Sequence, residues 1–432
     1  MATLRVLTGI TTSGTPHLGN YVGAIRPAVR ASLAADTESF YFLADYHALI
    51  KVDDPQRIQR STLEIAATWL AAGLNPERVT FYRQSDIPEI PELTWFLTCV
   101  TAKGMLNRAH AYKAMVDKNT AAGVDVDGDV SAGLFMYPVL MGADILIFNA
   151  HKVPVGRDQV QHIEMARDMA QRFNHLYGNH FVLPEAAIEE SVATLPGLDG
   201  RKMSKSYDNT IPLFAPREQL RKLIAGIVTD SRGPGEPKET EGSALFQIFQ
   251  AVAEANEVED LRRAYAQGIS WADAKQALFE RINREVAPMR DTYQSFIDNP
   301  AKVEEILLAG AVKARRLSAP FITRLREAVG LRNLANQGTA AKTAKVSKAA
   351  KPSFKQYREA DGQFYFKFVD EQGNALLQSK GFASPKDAAA SIARLQKEGF
   401  AAFAQLQENL LPLPGVTHDA LKAAFDQLAA TA

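Results

Sequence analysis

From Arg5 to Tyr177 the sequence alternates short β-rich runs with helical patterns, and this alternation constrains the fold more than any other feature of the chain. Arg5–Thr8, Phe40–Ala44, Thr80–Tyr82 and His151–Val155 read as strands. Between and after them, Gln56–Ala72 reads as a helix with Ile58, Leu63, Ile65, Trp69 and Leu70 on or near one face. Gln159–Tyr177 reads as another, with Ile163, Ala166, Met169, Ala170, Phe173 and Leu176 at helical spacing. Strands alternating with helices predict an α/β fold built on a Rossmann-like, doubly wound parallel sheet. Ligands of such sheets sit at the carboxyl ends of the strands, so the functional residues are expected to follow strands directly.

The alternation ends at about residue 212. From 213 to 335 strand signals fade, and helical patterns such as Ala274–Val286 and Val303–Leu308 predict a helical domain. Residues 336–352 are rich in alanine and lysine, including Lys342, Lys345, Lys348 and Lys351, and hold no acidic residue. With nothing to build a core from, they read as a basic linker. Residues 353–398 then read as a small α+β appendage of ββα type. Its strands are Gln363–Val369 and Ala375–Ser379, around an Asp370–Asn374 turn, and Ser384 is placed to cap a helix reaching about Gln396. Residues 399–432 read as a helical tail broken near Pro412–Gly415.

Composition narrows the function classes. Lysine plus arginine and aspartate plus glutamate balance at 49 each, so any nucleic-acid contact has to come from local basic patches. The single cysteine, Cys99, can build neither an intrachain disulfide nor a thiolate metal cluster, which suits a reducing compartment; its expected role is that of a small buried hydrophobe. Met1–Gly9 lacks the basic and apolar regions of a secretory signal, and Leu134–Phe148, the most apolar stretch, is interrupted by Pro138 and Asp144 and is too short to span a bilayer. The expectation is a cytoplasmic protein without membrane association.

Four strings carry chemistry. Gly9-Ile-Thr-Thr-Ser-Gly-Thr-Pro-His-Leu-Gly-Asn-Tyr21 follows the first strand and opens a helix; its glycines allow close backbone approach to a nucleotide, its helix start offers N–H groups to phosphate, and His17 can donate to a phosphoryl oxygen. Lys202-Met-Ser-Lys-Ser206 follows Gly197-Leu-Asp-Gly200, and two lysines in such a loop can close over a triphosphate and neutralise departing pyrophosphate. Asp144 is a carboxylate inside the apolar run Gly133–Leu146 and needs a strong donor, either an arginine elsewhere or a ligand. In Val153-Pro-Val-Gly-Arg-Asp-Gln-Val-Gln-His162, Asp158 and Gln161 have the spacing of a capping box.

The His-Leu-Gly-Asn string resembles the first signature of class I aminoacyl-tRNA synthetases, and Lys-Met-Ser-Lys-Ser matches their second. The Gly133–Leu146 and Val153–His162 strings are similar to the tryptophanyl branch of that family, over about residues 3–330. The resemblance implies a homodimer that activates L-tryptophan with ATP and Mg2+, holds no tightly bound metal of its own, and charges tRNA(Trp), with the helical domain reading the anticodon. It implies catalytic roles for His17, Asn20, Lys202 and Lys205. ATP contacts would come from Thr11, Thr12, Ser13, Gly19, Asn20, Gly156, Arg157, Asp158, Leu195, Lys202, Met203, Ser204, Lys205 and Ser206. Tryptophan contacts would come from His47, Tyr137, Met141, Asp144 and Gln159; an indole N–H only donates, so an aspartate in an apolar slot suits it. Many bacterial members carry glutamine where Thr11 stands, and either Lys113 or Lys118 is a candidate for pyrophosphate. The related tyrosine enzyme, which must satisfy a hydroxyl that both donates and accepts, a synthetase paralogue without catalysis, and a small-molecule nucleotidyltransferase are the rival readings. Residues 353–396 resemble a small ββα repeat of bacterial proteins, a likeness that implies no mechanism.

Overall fold

The computed structural model describes residues 3–188, 195–331, 352–359, 361–370, 374–413 and 416–429. The alanine- and lysine-rich stretch, with Lys342, Lys345, Lys348 and Lys351, lies outside the described residues, as does most of the Asp370–Asn374 turn. The chain forms two compact units, Met1–Arg332 and Asn333–Ala432.

The first unit is organised by five parallel strands, β1 (Leu4–Thr11), β2 (Thr37–Ala44), β3 (Thr80–Arg83), β4 (Lys152–Val155) and β5 (Glu185–Ile188). They lie in the order β3-β2-β1-β4-β5. This is the doubly wound order, with its switch point between β1 and β4. Side-chain alternation in β2 shows why the sheet is buried on both faces: Tyr41 and Leu43 enter one core with Trp69 and Phe81, while Phe40 and Phe42 enter the other with Tyr82 and Phe148. The Phe42 ring lies 2.4 Å from where a Cβ on Gly9 would sit, so the close pairing of β1 and β2 at that register requires glycine.

Helices cover both faces. Pro55–Ala71 starts at Asp54, whose side chain accepts from the Gln56 N–H, and Val160–Tyr177 runs to Gly178. Ala132–Leu146 takes up the apolar stretch and tolerates Pro138 within it. After residue 212 the chain is helical: Arg217–Ala225, Ala244–Val252, Ala255–Ala266, Trp271–Ile297 and Pro300–Ala328. The last two run well beyond Ala274–Val286 and Val303–Leu308, through Pro288 and Pro320: Phe321, Ile322 and Leu325 are buried past Pro320, and Met289 and Phe296 pack partly buried against the core past Pro288. The Pro300–Ala328 helix returns to the sheet edge. A Cβ on Gly310 would lie 1.6 Å from the Phe81 carbonyl oxygen of β3, and Arg83–Glu304 and Arg315–Glu89 pairs flank this contact.

Three sequence expectations change. β5 carries no strand signal of its own and is made by pairing with β4. Cys99 is exposed on the helix Glu89–Val100, whose buried face is built from Ile90, Leu93, Phe96 and Leu97. The second unit has four antiparallel strands where two were expected: β6 (Ser353–Arg358), β7 (Phe364–Val369), β8 (Ala375–Ser379) and β9 (Leu410–Pro412), in sequential order. Polar Lys355, Gln356 and Arg358 obscure β6, and β9 is too short to show a period. Helices Pro385–Glu398, capped by Ser384, Phe400–Gln405 and His418–Ala429 pack on one face of this sheet. Among the described residues no helix is long and apolar enough to cross a membrane.

Candidate active site

Two cavities adjoin the carboxyl end of β1, where the strand order reverses. The first, of about 570 Å³, is lined by Thr8, Gly9, Thr11 and Ser13 from β1 and its turn, and by Val153–Gly156 from β4. His47, Tyr137, Met141, Asp144, Gln159 and His162 complete it. The second, of about 500 Å³, is lined by Gly14, Thr15, His17, Arg57, Arg60, Glu64 and Lys205. The turn after β1 thus supplies adjacent residues, Ser13 and Gly14, to the two spaces.

In the first cavity Asp144 is 1 % exposed, on the helix Ala132–Leu146. Its donors are not an arginine. His47 Nε2 lies 2.9 Å from Oδ2, and the Gln84 amide donates to Oδ1 at 2.8 Å and to Oδ2 at 2.9 Å. Burial pushes the Asp144 carboxyl up from its ordinary value, while the His47 and Gln84 contacts oppose that rise. Gln84 is itself fixed, because its Oε1 accepts the Tyr46 N–H at 3.0 Å. Three contacts leave a carboxylate with acceptor capacity to spare, and Asp144 spends it toward a mainly apolar cavity. Met141 and Tyr137 lie about one and two turns before Asp144 on the same helix, and the Tyr137 hydroxyl is 2.5 Å from His162 Nε2. His162 Nδ1 in turn is 2.9 Å from Gln159 Oε1, so a Tyr137–His162–Gln159 chain sets the orientation of the Gln159 amide.

Gly156 ends β4 and starts the turn Arg157–Gln159 that opens the helix Val160–Tyr177. Arg157 and Asp158 therefore stand on the backbone between strand and helix. Gln161 does not act as the far end of a capping box. Its Oε1 accepts the His110 N–H and its Nε2 donates to the Arg108 carbonyl, tying down the start of the helix His110–Ala122. Lys113 and Lys118 are exposed on that helix and line neither cavity.

The second cavity brings Arg57, Arg60 and Lys205 together with the acids Asp54, Glu64 and Asp208. His17 stands at the start of the helical run Leu18–Asn20, where the Asn20 side-chain oxygen accepts its backbone N–H at 3.1 Å. Burial and the nearby Lys205 hold its imidazole down at about 4, so it is neutral near pH 7. Its Nδ1 is buried without a partner. Gly19 sits under the ring, where a Cβ would lie 3.1 Å from the imidazole and 3.5 Å from Met203 Sδ. Lys205 Nζ approaches Gly14, and desolvation, with Arg57 opposite, lowers its ammonium to about 8. Arg57 donates to the Ser13 carbonyl at 3.1 Å.

The loop that carries Lys205 is held by Asn209, which is buried. Its side chain accepts the Ser204 N–H at 2.8 Å and donates to the Lys202 carbonyl at 3.1 Å and to Asp199 at 2.7 Å. The Met203 N–H reaches the Leu195 carbonyl, and buried Met203 wedges the loop against Gly19. Of the residues expected to bind, Thr11, Ser13, His47, Tyr137, Met141, Asp144, Gly156 and Gln159 meet at the first cavity, and His17 and Lys205 at the second. Asn20, Gly19, Leu195, Met203 and Ser204 lie behind them as supports. Thr12 is buried with an unpartnered hydroxyl, Lys202 is exposed, and Ser206 lies in the turn Lys205–Tyr207. The sequence reading missed Gln84, Arg57, Arg60 and Asn209. Gln84 alone had a usable signal, since it follows β3 directly.

Comparison with known proteins gives the family. Residues 1–287 match the family described as tRNA synthetases class I (W and Y). The chain is 64% identical over 432 residues to the tryptophan–tRNA ligase of Xanthomonas axonopodis pv. citri, covering 99% of this chain and 98% of that one. It is 63% identical over 396 residues to the tryptophan–tRNA ligase of Pseudomonas aeruginosa, covering 91% of this chain and 88% of that one. Among solved structures, the tryptophanyl-tRNA synthetase of Campylobacter jejuni complexed with ADP and tryptophan matches with a TM-score of 0.68 and 40% identity, over 76% of this chain and 100% of that chain.

Proposed function

The chain belongs to the class I tRNA synthetases of the tryptophan and tyrosine group and acts as a tryptophan–tRNA ligase, and from that premise we propose how its own residues divide the work. The tryptophan carboxylate attacks the α-phosphorus of ATP, which enters with Mg2+ as a substrate complex. The bond to the bridging oxygen breaks, pyrophosphate leaves, and tryptophanyl-adenylate remains. A terminal ribose hydroxyl of tRNA(Trp) then attacks the acyl carbon and AMP leaves. No general base is needed in the first step, because the attacking carboxylate is already ionised.

Asp144 accepts the indole N–H in the first cavity, between Tyr137 and Met141, and the Gln159 amide faces the α-amino group. The backbone at Gly156–Asp158 serves the ribose. His17 and Lys205 meet the phosphates in the second cavity, with Arg57 and Arg60 adding positive field. The protein's contribution is positioning and charge stabilisation. The observation that carries this reading is the buried Asp144 carboxylate, oriented by Gln84 and His47 at the wall of an apolar cavity. Such an acceptor matches a donor-only indole and leaves a phenol hydroxyl half satisfied. A cytoplasmic homodimer completes the proposal.

Amino-acid-dependent pyrophosphate exchange, run with each of the twenty amino acids, tests it. Exchange with tryptophan alone is expected. Exchange driven by tyrosine, or by no amino acid, would overturn the assignment of the first cavity.

A further inference from the structure

The second unit separates its aromatic residues by strand parity. Phe354 of β6, Phe366 and Phe368 of β7 and Leu377 of β8 point into its core. The helices add Ala388 and Leu395, Ala402 and Phe403, and Leu421, Ala424 and Phe425 to that same core, so among the described residues none of them covers the sheet's other face. The alternate positions lie on that other face: exposed Lys355 and half-buried Tyr357 of β6, half-buried Tyr365 and Lys367 of β7, and Gln378 of β8, with the Tyr357 hydroxyl enclosed there without a hydrogen-bond partner.

One feature of this face is costly for a surface meant only for water. Lys355 and Lys367 are directly opposite one another across β6 and β7, a like-charge pairing that disfavours the strand pair. Among the described residues neither has an acidic partner within ion-pair distance. Beside them, Tyr357 and Tyr365 are also cross-strand partners; their rings stack at 5.8 Å with an interplanar angle of 20°, and Lys367 Nζ lies 5.0 Å from the Tyr357 ring centre. Lys380, exposed and two residues beyond Gln378, adds a third positive charge at the edge. Two acids stand close to Tyr365, Glu359 and Asp361, and Asp361 accepts from the Tyr365 hydroxyl at 2.6 Å.

We propose that the open face of the β6–β9 sheet binds unpaired RNA nucleotides, with bases stacking on the Tyr357–Tyr365 pair and phosphates lying against Lys355, Lys367 and Lys380. An antiparallel sheet whose exposed strands carry aromatics among lysines offers both contacts that single-stranded RNA makes, π-face stacking and sequence-independent charge neutralisation. A bound phosphate would also relieve the Lys355–Lys367 repulsion. That the natural RNA is the tRNA substrate rests on the function proposed above; the RNA-binding face itself does not.

The test uses the full chain with three fluorescent probes: a twelve-nucleotide oligouridine, a blunt duplex RNA and a tRNA(Trp) transcript. Wild type is expected to bind oligouridine in preference to the duplex, with an affinity that falls as salt rises. Lys355→Gln/Lys367→Gln is expected to weaken oligouridine binding about tenfold at low salt and to flatten the salt slope by about 1.4, the share of two phosphate contacts on a single strand. Tyr357→Leu/Tyr365→Leu is expected to weaken it about tenfold with little change in slope. Tryptophan-dependent pyrophosphate exchange, which needs no tRNA, is expected to be unchanged in both variants, so its failure in wild type would count against the proposed function and not against this face. Equal oligouridine affinity and slope in wild type and the lysine variant would overturn the proposal, as would equal binding of duplex and oligouridine. Capture of a protein partner by a chain that binds no oligouridine would overturn it too. If the tyrosine variant loses the thermal transition of the second unit, the lysine variant alone decides.

Discussion

The side-chain amide of Gln84 bridges both carboxylate oxygens of Asp144, at 2.8 and 2.9 Å, in a fully buried setting. This makes Gln84 a positioning residue for the indole acceptor. Replacing Gln84 with Met removes two hydrogen bonds from a buried carboxylate and drives its already raised pKa further up. The KM for tryptophan is expected to rise by about tenfold to a hundredfold, with the KM for ATP little changed, in pyrophosphate exchange at pH 7.5. An equal rise in both constants would place Gln84 in general stability instead.

In the proposed function Asp144 itself sets selectivity. Sites that hydrogen-bond a substrate donor reject an analogue lacking it by roughly 10⁴–10⁵. Wild type is therefore expected to discriminate strongly against the benzothiophene analogue of tryptophan, in which sulfur replaces the indole N–H. Asp144→Ala should lose most tryptophan use and most of that discrimination while retaining ATP binding. A variant that still prefers tryptophan over the analogue by the wild-type ratio would show that another acceptor reads the N–H.

Much of this was legible in the sequence. The order of strands and helices could be read because Phe40–Ala44 is a short continuous apolar run and Val160–Tyr177 repeats at helical spacing. Most of the candidate phosphate and tryptophan residues could be proposed from the sequence because, His47 and Leu195 apart, they fall in four short strings. What was hidden depends on contacts distant in sequence. Gln84 stands where a strand end could have marked it, but its partner Asp144 lies 60 positions away and could not be read locally. Arg57 is an ordinary helix-surface arginine until the fold brings it to Ser13 and Lys205. β5 and β9 exist only through their partners.

Lys205 in the second cavity predicts a pH dependence. Lys205 has a folded-state pKa of about 8, lowered by burial and by Arg57. A bound triphosphate favours the charged ammonium and raises that value, so the complex holds more protons than the separated partners above about pH 8. ATP affinity is expected to be flat from pH 6.5 to 7.5 and to fall above about pH 8, by at most about tenfold per pH unit for one proton. Calorimetric titration at constant ionic strength measures this, and Lys205→Ala should flatten it. Lys205→Ala and His17→Ala are each expected to slow single-turnover adenylate formation by about 10²–10³, the cost of one transition-state donor.

Asn209 offers a test of loop positioning. It satisfies the Ser204 N–H, the Lys202 carbonyl and Asp199 with one side chain, yet lines neither cavity at its own position. Asn209→Ala should lower the rate of adenylate formation by about tenfold while leaving the tryptophan KM near wild type, because the first cavity does not depend on this loop. Loss of tryptophan affinity on the same scale would show the two cavities to be coupled through it.

The contact between Gly310 and β3 gives the sharpest stability prediction. A methyl group at Gly310 would be placed 1.6 Å from the Phe81 carbonyl oxygen and 2.5 Å from its carbon, both backbone atoms that cannot rotate away. Helix propensity alone would make alanine stabilising by about 0.5–1 kcal/mol at this interior position. The clash opposes that gain, since forcing extra volume into a packed contact costs about 1–3 kcal/mol and here the helix must lift off a strand. Gly310→Ala is thus expected to lower the thermal midpoint of the first unit, while Gly310→Ala retains the ion pairs of Arg83 and Arg315 only if the helix tilts about that point. Calorimetric unfolding decides the sign: a raised midpoint would mean that the helix and β3 are not in the close register that brings Gly310 onto Phe81.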